Sequence, residues 1–213
     1  MPAPLPRLTA LARRGARALD GRSRALIGAL VALALVACAV PEGDQSTPEQ
    51  AYYRLINVRA AGDVHGLWEL LHPDVRADFQ GWYDSEKLAA YDVRTNYPES
   101  DKPAALAAIG DGKRADLADA QALFAQVLTS SSAAALGGIG AMSAHVRSVT
   151  VDDAAGRATV KTWGGDDLTF LRGSDNRWYW GLQDVERERL KVAHQRADEN
   201  LKRVRANLKK LGR

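Results

Sequence analysis

The hydrophobic period of this chain changes from helical to alternating near His145, and that change limits the possible fold more than any other feature. Up to Leu128 the apolar residues recur at helical spacing; after His145 they alternate, which is the signature of strands with one buried face. His145–Val151, Arg157–Trp163, Asp167–Arg172 and Trp178–Leu182 read as four strands. Asp152-Asp153-Ala154-Ala155-Gly156, Gly164-Gly165-Asp166 and Gly173-Ser174-Asp175-Asn176 separate them and are rich in turn-forming residues. Connections this short join neighbours only in an antiparallel meander. Val149 and Val151, Ala158 and Val160, Leu168 and Phe170, and Trp178, Trp180 and Leu182 fall on one face. That face has to be covered by helices, so the fold class is α+β.

The helices come from the first half. Thr47 is a good N-cap, Pro48 suits the first helical position, and Gln50 stands where a capping box needs it. Ala51, Tyr52, Leu55 and Ile56 make an apolar stripe. Gly62 is placed to end this helix in a left-handed cap, and Asp63 to begin the next. Val64, Leu67, Leu70 and Leu71 share the second helix's face, and Pro73 ends the run. Asp84 or Ser85 is expected to cap a helix reaching Tyr97, and Asp101 with Pro103 a short one stopping at Gly110. Asp116 is expected to cap a third, with Leu117, Ala120, Phe124, Val127 and Leu128 on one face. The small, Gly-rich stretch Ser130–Gly140 reads as a flexible connection. No internal repeat is present.

From Asp184 to Arg213 the chain returns to helical spacing. Leu190, Ala197, Leu201, Val204, Leu208 and Leu211 step by three and four, with His194 in the one gap of the seam. Ten Lys and Arg against five Asp and Glu make this segment basic by 5 charges. As one helix it would be roughly 45 Å long.

The overall charge of +3 is set by the first 37 residues. Removing their six Arg and one Asp from 29 basic and 26 acidic residues leaves 23 and 25, a net charge of −2. A chain of that balance lacks the dense positive charge of nucleic-acid binding, and no nucleic-acid partner is expected. Ala25–Ala37 is uncharged and apolar. As a helix it would span about 20 Å, too short for a hydrocarbon core of about 30 Å. A basic leader, a short apolar run and small residues at its end match a cleavable export signal.

That run closes on Leu35-Val36-Ala37-Cys38, and Cys38 is the only cysteine. The four residues resemble the lipobox of bacterial lipoproteins. The resemblance implies diacylglyceryl transfer to the Cys38 thiol, cleavage between Ala37 and Cys38, and acylation of the new amino terminus. The partner so implied is a lipid bilayer, held through acylated Cys38. Several acyl chains make such an anchor effectively permanent, where one holds only reversibly. Ala39 is not the aspartate that the family associates with inner-membrane retention, which implies the periplasmic leaflet of an outer membrane. The expected divisions are a signal peptide at 1–37, a tether at 38–46, an α+β domain at 47–183 and a charged helix at 184–213.

The domain's opening, from Thr47-Pro48-Glu49-Gln50-Ala51 through Ala60-Ala61-Gly62-Asp63 to Leu67-Trp68-Glu69-Leu70-Leu71-His72-Pro73, resembles the entry helices of the nuclear-transport-factor-2-like superfamily. Asp175-Asn176-Arg177-Trp178-Tyr179-Trp180 is similar to its late turn and tryptophan strand. The resemblance implies helices packed on a curved sheet, a cone with an apolar pocket. The long helical middle, Asp74–Leu128, and the charged final helix depart from the family pattern.

Enzymes of that superfamily place an acid or histidine base in the cone, opposite a donor that steadies an enolate. Of the four histidines, His65 flanks an apolar helix face and reads as surface, and His72 suits a helix C-terminus. His145 begins a strand, and His194 sits where it can meet another helix. None has a metal-ligand partner at a useful spacing, and neither a nucleophile elbow nor a phosphate loop is present. No catalytic residue, metal or cofactor is therefore expected. Trp68, Trp82, Tyr83, Trp163, Trp178 and Trp180 are the candidate pocket residues, although aromatics at these spacings are more often core. Trp163, beside two glycines, is the one expected to be exposed. The expected role is a non-enzymatic ligand-binding or protein-interaction module, with the 184–213 helix as a surface for an envelope protein. The alternative is a small isomerase- or cyclase-like enzyme using the cone.

Overall fold

Thr47 starts the first helix as its residue type suggests. Its hydroxyl accepts from the Gln50 N–H at 3.2 Å, and α1 runs Pro48–Ala60. The computed structural model describes residues 41–130 and 144–212. The signal segment, Ala37, Cys38 and most of the Ser130–Gly140 connection lie outside the described residues.

Gly62 takes the left-handed conformation (φ +67°) that closes α1. The Asp63 carboxylate then accepts from the Gly66 N–H at 2.8 Å to open α2, Val64–Leu70. The next element differs from expectation. A single helix, α3, spans Pro73–Asn96, and Asp84 and Ser85 lie inside it rather than at its start. Pro73 ends the preceding run and also occupies the first turn of α3, where the missing N–H costs nothing. The cap of α3 is His72, whose Nδ1 accepts from the Asp74 N–H at 3.2 Å. Helix α4 spans Lys102–Ala108. Asp116 caps nothing: it closes a 3₁₀ turn, Arg114–Asp116, and its two oxygens hold Arg94 at 2.7 and 3.0 Å. The cap of α5, Ala120–Ser130, is Asp119, which accepts from the Ala122 N–H at 2.8 Å.

The strands are β1 Val146–Asp152, β2 Arg157–Thr162, β3 Asp167–Arg172 and β4 Trp178–Trp180. They form one antiparallel sheet in the order β1-β2-β3-β4. The register sets Val149 opposite Val160, Val151 opposite Ala158, Ala158 opposite Phe170, Val160 opposite Leu168, and Phe170 opposite Trp180. The alternating residues therefore share a face, and α1 packs across all four strands. Val151 is the exception to burial, 42% exposed near the end of the edge strand. The outer edge of β4 is covered. Trp178 exchanges hydrogen bonds with Gln45 at 2.9 and 3.1 Å, and the His72 N–H donates to the Trp180 carbonyl at 2.9 Å.

Gln45 belongs to the segment expected to be a free tether. From Pro41 onward it is bound. The Asn57 amide donates to the Pro41 and Glu42 carbonyls at 2.7 and 3.1 Å. Gly43 (φ +70°) lies so close to α1 that an added Cβ would meet the Gln50 carbonyl and the Arg54 nitrogen. The segment thus runs back along α1 from the start of that helix toward its end.

The last helix, α6, spans Asp184–Lys210, opened by a reciprocal cap between Gln183 and Glu186. Its seam is occupied by the chain itself. Leu190, Ala197, Val204 and Leu208 are buried, and α6 lies along α3. Contacts of His194 with Asp78 and Gly81, Ser85 with Asp198, and Asp92 with Arg205 advance together, so the two helices run in the same direction. Leu211, expected on the seam, falls past the helix end and is exposed.

Two apolar clusters result. The larger joins α1, α2, the first half of α3, α5, the sheet and the first half of α6 around Phe79, Leu123, Phe124, Val160 and Phe170. The smaller lies between the distal halves of α3 and α6. It consists of Ala89, Ala90, Val93, Tyr97, Ile109, Ala115, Val204 and Leu208.

Candidate functional site

Five of the six aromatic candidates belong to the larger cluster. Trp82, Tyr83, Trp178 and Trp180 are buried in it, and Trp68 is partly buried against it. Trp68 meets Phe79 and Phe124 at centroid distances of 6.1 and 5.7 Å, and Phe79 stacks on Trp82 at 6.2 Å. Their polar ends are satisfied internally. The Trp82 indole donates to Glu86 at 3.2 Å, and the Tyr83 hydroxyl reaches the Leu117 and Ala118 carbonyls at 2.9 Å each. Packed in this way they are core side chains. Trp163 stands apart. It is 66% exposed, as its glycine neighbours suggest, and the Arg147 guanidinium lies 5.5 Å from its ring.

The histidines divide by environment. His65 is exposed, 3.2 Å from the Gln121 amide oxygen. His145 begins the chain's approach to β1, its ring 6.5 Å from Tyr53. His72 follows the C-terminus of α2, as expected, and also caps the N-terminus of α3. Burial holds its imidazole below the usual histidine range, against the opposing pulls of Asp74 and the Arg172 carbonyl. The neutral ring suits its task, because Nδ1 must keep a lone pair to cap α3. The Asp74 carboxylate, 3.6 Å from the same nitrogen, forms an ion pair only when the ring is protonated.

His194 fills a notch in α3. An added Cβ on Gly81 would overlap its imidazole ring, so a side chain at position 81 would have to displace the His194 ring. Asp78 and Asp198 flank the ring at 3.8 Å on either side, and Ser85 donates to Asp198. The serine reaches the carboxylate and not the imidazole, so the group does not activate a nucleophile.

Three further features were not visible in the sequence. Glu86 is buried, bonded by Trp82 and by Arg114 at 3.3 Å. It forms one wall of a polar cleft of about 490 Å³ between α6 and the α4 region, with Arg114, Arg196, Glu199, Asn200 and Arg203. Most of these charges already have partners: Arg203, for example, donates to the Ala108 carbonyl and to Asn200. Tyr52 donates to the Ala144 carbonyl at 2.6 Å, and burial pushes its phenol up to about 12, which fixes it as a donor and not a base. Among the described residues, the buried Nη2 of Arg59, on α1, has no hydrogen-bond partner. Only the Gly81 notch had a sequence signal, an isolated glycine inside a helical pattern. Among the described residues no group of three or more acids, histidines and cysteines is arranged to hold a metal ion.

No protein-family model, curated protein or solved structure matches this chain.

Proposed function

We propose that the chain is a lipid-anchored cell-envelope protein, acylated at Cys38 after cleavage behind Ala37 and facing the periplasm from the outer membrane. Its α+β domain acts as a non-enzymatic binding or interaction module. The anchor rests on Leu35-Val36-Ala37-Cys38 at the end of a short apolar run. No helix among the described residues is long and apolar enough to cross a membrane.

The observation that supports the non-enzymatic reading is the close packing of the core among the described residues. Phe170, Leu55, Leu71, Leu123, Val75 and Val160 have under 2% exposure between α1, α3, α5 and the sheet. A cone-like arrangement of helices on a curved sheet, as in nuclear-transport-factor-2-like domains, would here have its cavity occupied by side chains. Recognition then falls to surfaces. On α6, whose seam is spent on α3, the face left for an envelope protein carries Val185, Glu188, Arg189, Val192 and Arg196. One feature favours the alternative of an isomerase- or cyclase-like enzyme: the buried Arg59 nitrogen, without a partner among the described residues, is a ready donor to an anionic oxygen.

Native mass spectrometry of the Ala39–Arg213 protein, purified from its own host's periplasm, separates the two. A ligand-free mass, alone or with a co-purified protein, is expected. A retained small molecule lost on Arg59→Met would move the function into the interior. Fractionation of Cys38→Ser tests the anchor: the variant is expected to be soluble or uncleaved, and its recovery in membranes at the wild-type size would refute lipidation.

A further inference from the structure

Where the chain leaves the domain limits how the domain can stand on a membrane. Between Cys38 and the bound Pro41 there are three Cα–Cα steps, at most about 11 Å of reach. Pro41 is fixed beside Asn57, near the last turn of α1. The same end of the molecule carries the turn after β2. Gly43 lies against Tyr53, and the Tyr53 ring is 6.5 Å from His145. The His145 carbonyl in turn accepts from the Trp163 N–H at 3.0 Å. Arg59, in the last turn of α1, is close enough to Asp166, in the turn after β2, to feel its charge, so the bound start of the tether and the exposed Trp163 lie toward the same end of the sheet.

Resting on the reading of Cys38 as the lipid anchor, we infer that this end is the membrane-facing surface, with Trp163 and Arg147 seated at the lipid headgroups. An indole is large and apolar with one polar N–H, and it is most stable where hydrocarbon gives way to water. A guanidinium over its face stays in the headgroup layer, where phosphates satisfy it while the ring goes deeper. The Thr162–Asp166 turn that presents the ring is rigid. The Thr162 N–H donates to the Asp166 carbonyl at 3.0 Å, the Gly165 N–H to the Thr162 carbonyl at 3.2 Å, and the Asp166 N–H to the Thr162 hydroxyl at 3.1 Å. A short anchor brings this turn to the bilayer, which removes most of the entropic cost of a weak surface contact. The domain then stands end-on.

The test uses the acylated full-length mature chain in vesicles of phosphatidylethanolamine and phosphatidylglycerol. Acylation consumes the only native thiol, so Trp163→Cys provides a single site for a polarity-sensitive fluorophore. Arg147→Cys is the second site, and Val151→Cys, at the opposite end of the sheet, is the control. At 163 and 147 the emission should be blue-shifted and quenched by lipid-borne bromine, while at 151 it should be water-like and quenched by iodide. Water-like emission at both 163 and 147 in a protein whose N-terminal peptide has the acylated mass overturns the orientation alone. An unmodified N-terminal peptide overturns the anchor beneath it.

Discussion

The two apolar clusters are built on opposite principles. The larger is filled by volume: Phe79, Phe124, Phe170, Trp82 and Trp180 interlock between helices and sheet. The smaller has Ala89, Ala90 and Ala115 where the first has rings, so α3 and α6 approach closely and polar groups fasten their flanks. The Tyr97 hydroxyl reaches the Val204 carbonyl at 3.2 Å, Arg205 lies 3.4 Å from Asp92, and Arg203 holds the Ala108 carbonyl at 3.1 Å. Burying large rings stabilises without regard to direction, whereas close helix contact needs small residues and fixed polar partners. Damage to the first cluster should therefore be global, and damage to the second local.

Phe170→Ala should break that contrast at its strong end. Phe170 has 1% exposure at the centre of the sheet's buried face, and its removal should cost about 3–5 kcal/mol in chemical denaturation. Loss confined to one local transition would contradict the division drawn here. Leu208→Ala, in the smaller cluster, should cost about 2–3 kcal/mol, at the low end for a buried leucine because the helix end can relax. Hydrogen exchange should then increase in the last turns of α6 and leave the sheet amides unchanged.

Between the clusters lies the Gly81 notch. Gly81→Ala gains about 1 kcal/mol of helix propensity but overlaps His194, for a net loss of about 1 kcal/mol. His194→Ala opens the notch, so the double variant should regain that propensity. A double-mutant cycle with additive effects would show that the imidazole does not hold the two helices in register.

The smallest effect concerns pH. His72 is held below its usual value of 6.5, so the unfolded chain binds the proton more readily than the folded one. Its neutral form favours folding at neutral pH, and stability should fall as pH drops through 6.5 toward the lower folded value. His72→Asn keeps an N-cap acceptor and should flatten this slope between neutrality and mild acid. Carboxylates held low by partners, such as Asp116 by Arg94 and Asp184 by Arg157, lose their contribution only at more acid pH. An unchanged slope would show that His72 is as readily protonated in the folded protein as in the unfolded one.

Local chemistry by itself determined much of this protein. Thr47, Gly62 and Asp63 act within a few residues of themselves, and their roles were legible for that reason. The sheet was legible too, because alternation and short turns leave a meander little freedom. Pro73 and His72 end one helix as expected, but their second role in starting the next was missed, and Asp116 was misread as a cap, because a proline or a polar residue at a boundary serves equally to stop one helix or start the next. Which of these it does depends on the packing beyond. Of the candidate site, the exposure of Trp163 followed from its glycines, whereas the burial of Trp68, Trp82, Tyr83, Trp178 and Trp180 depended on partners far along the chain. Only the tertiary structure decided that α6 spends its seam on α3, that Gly81 receives His194, and that Pro41–Ser46 is fastened to α1 and β4. Each of these joins residues distant in sequence, and shape and hydrogen-bond complementarity between distant segments leave no periodic trace in either one.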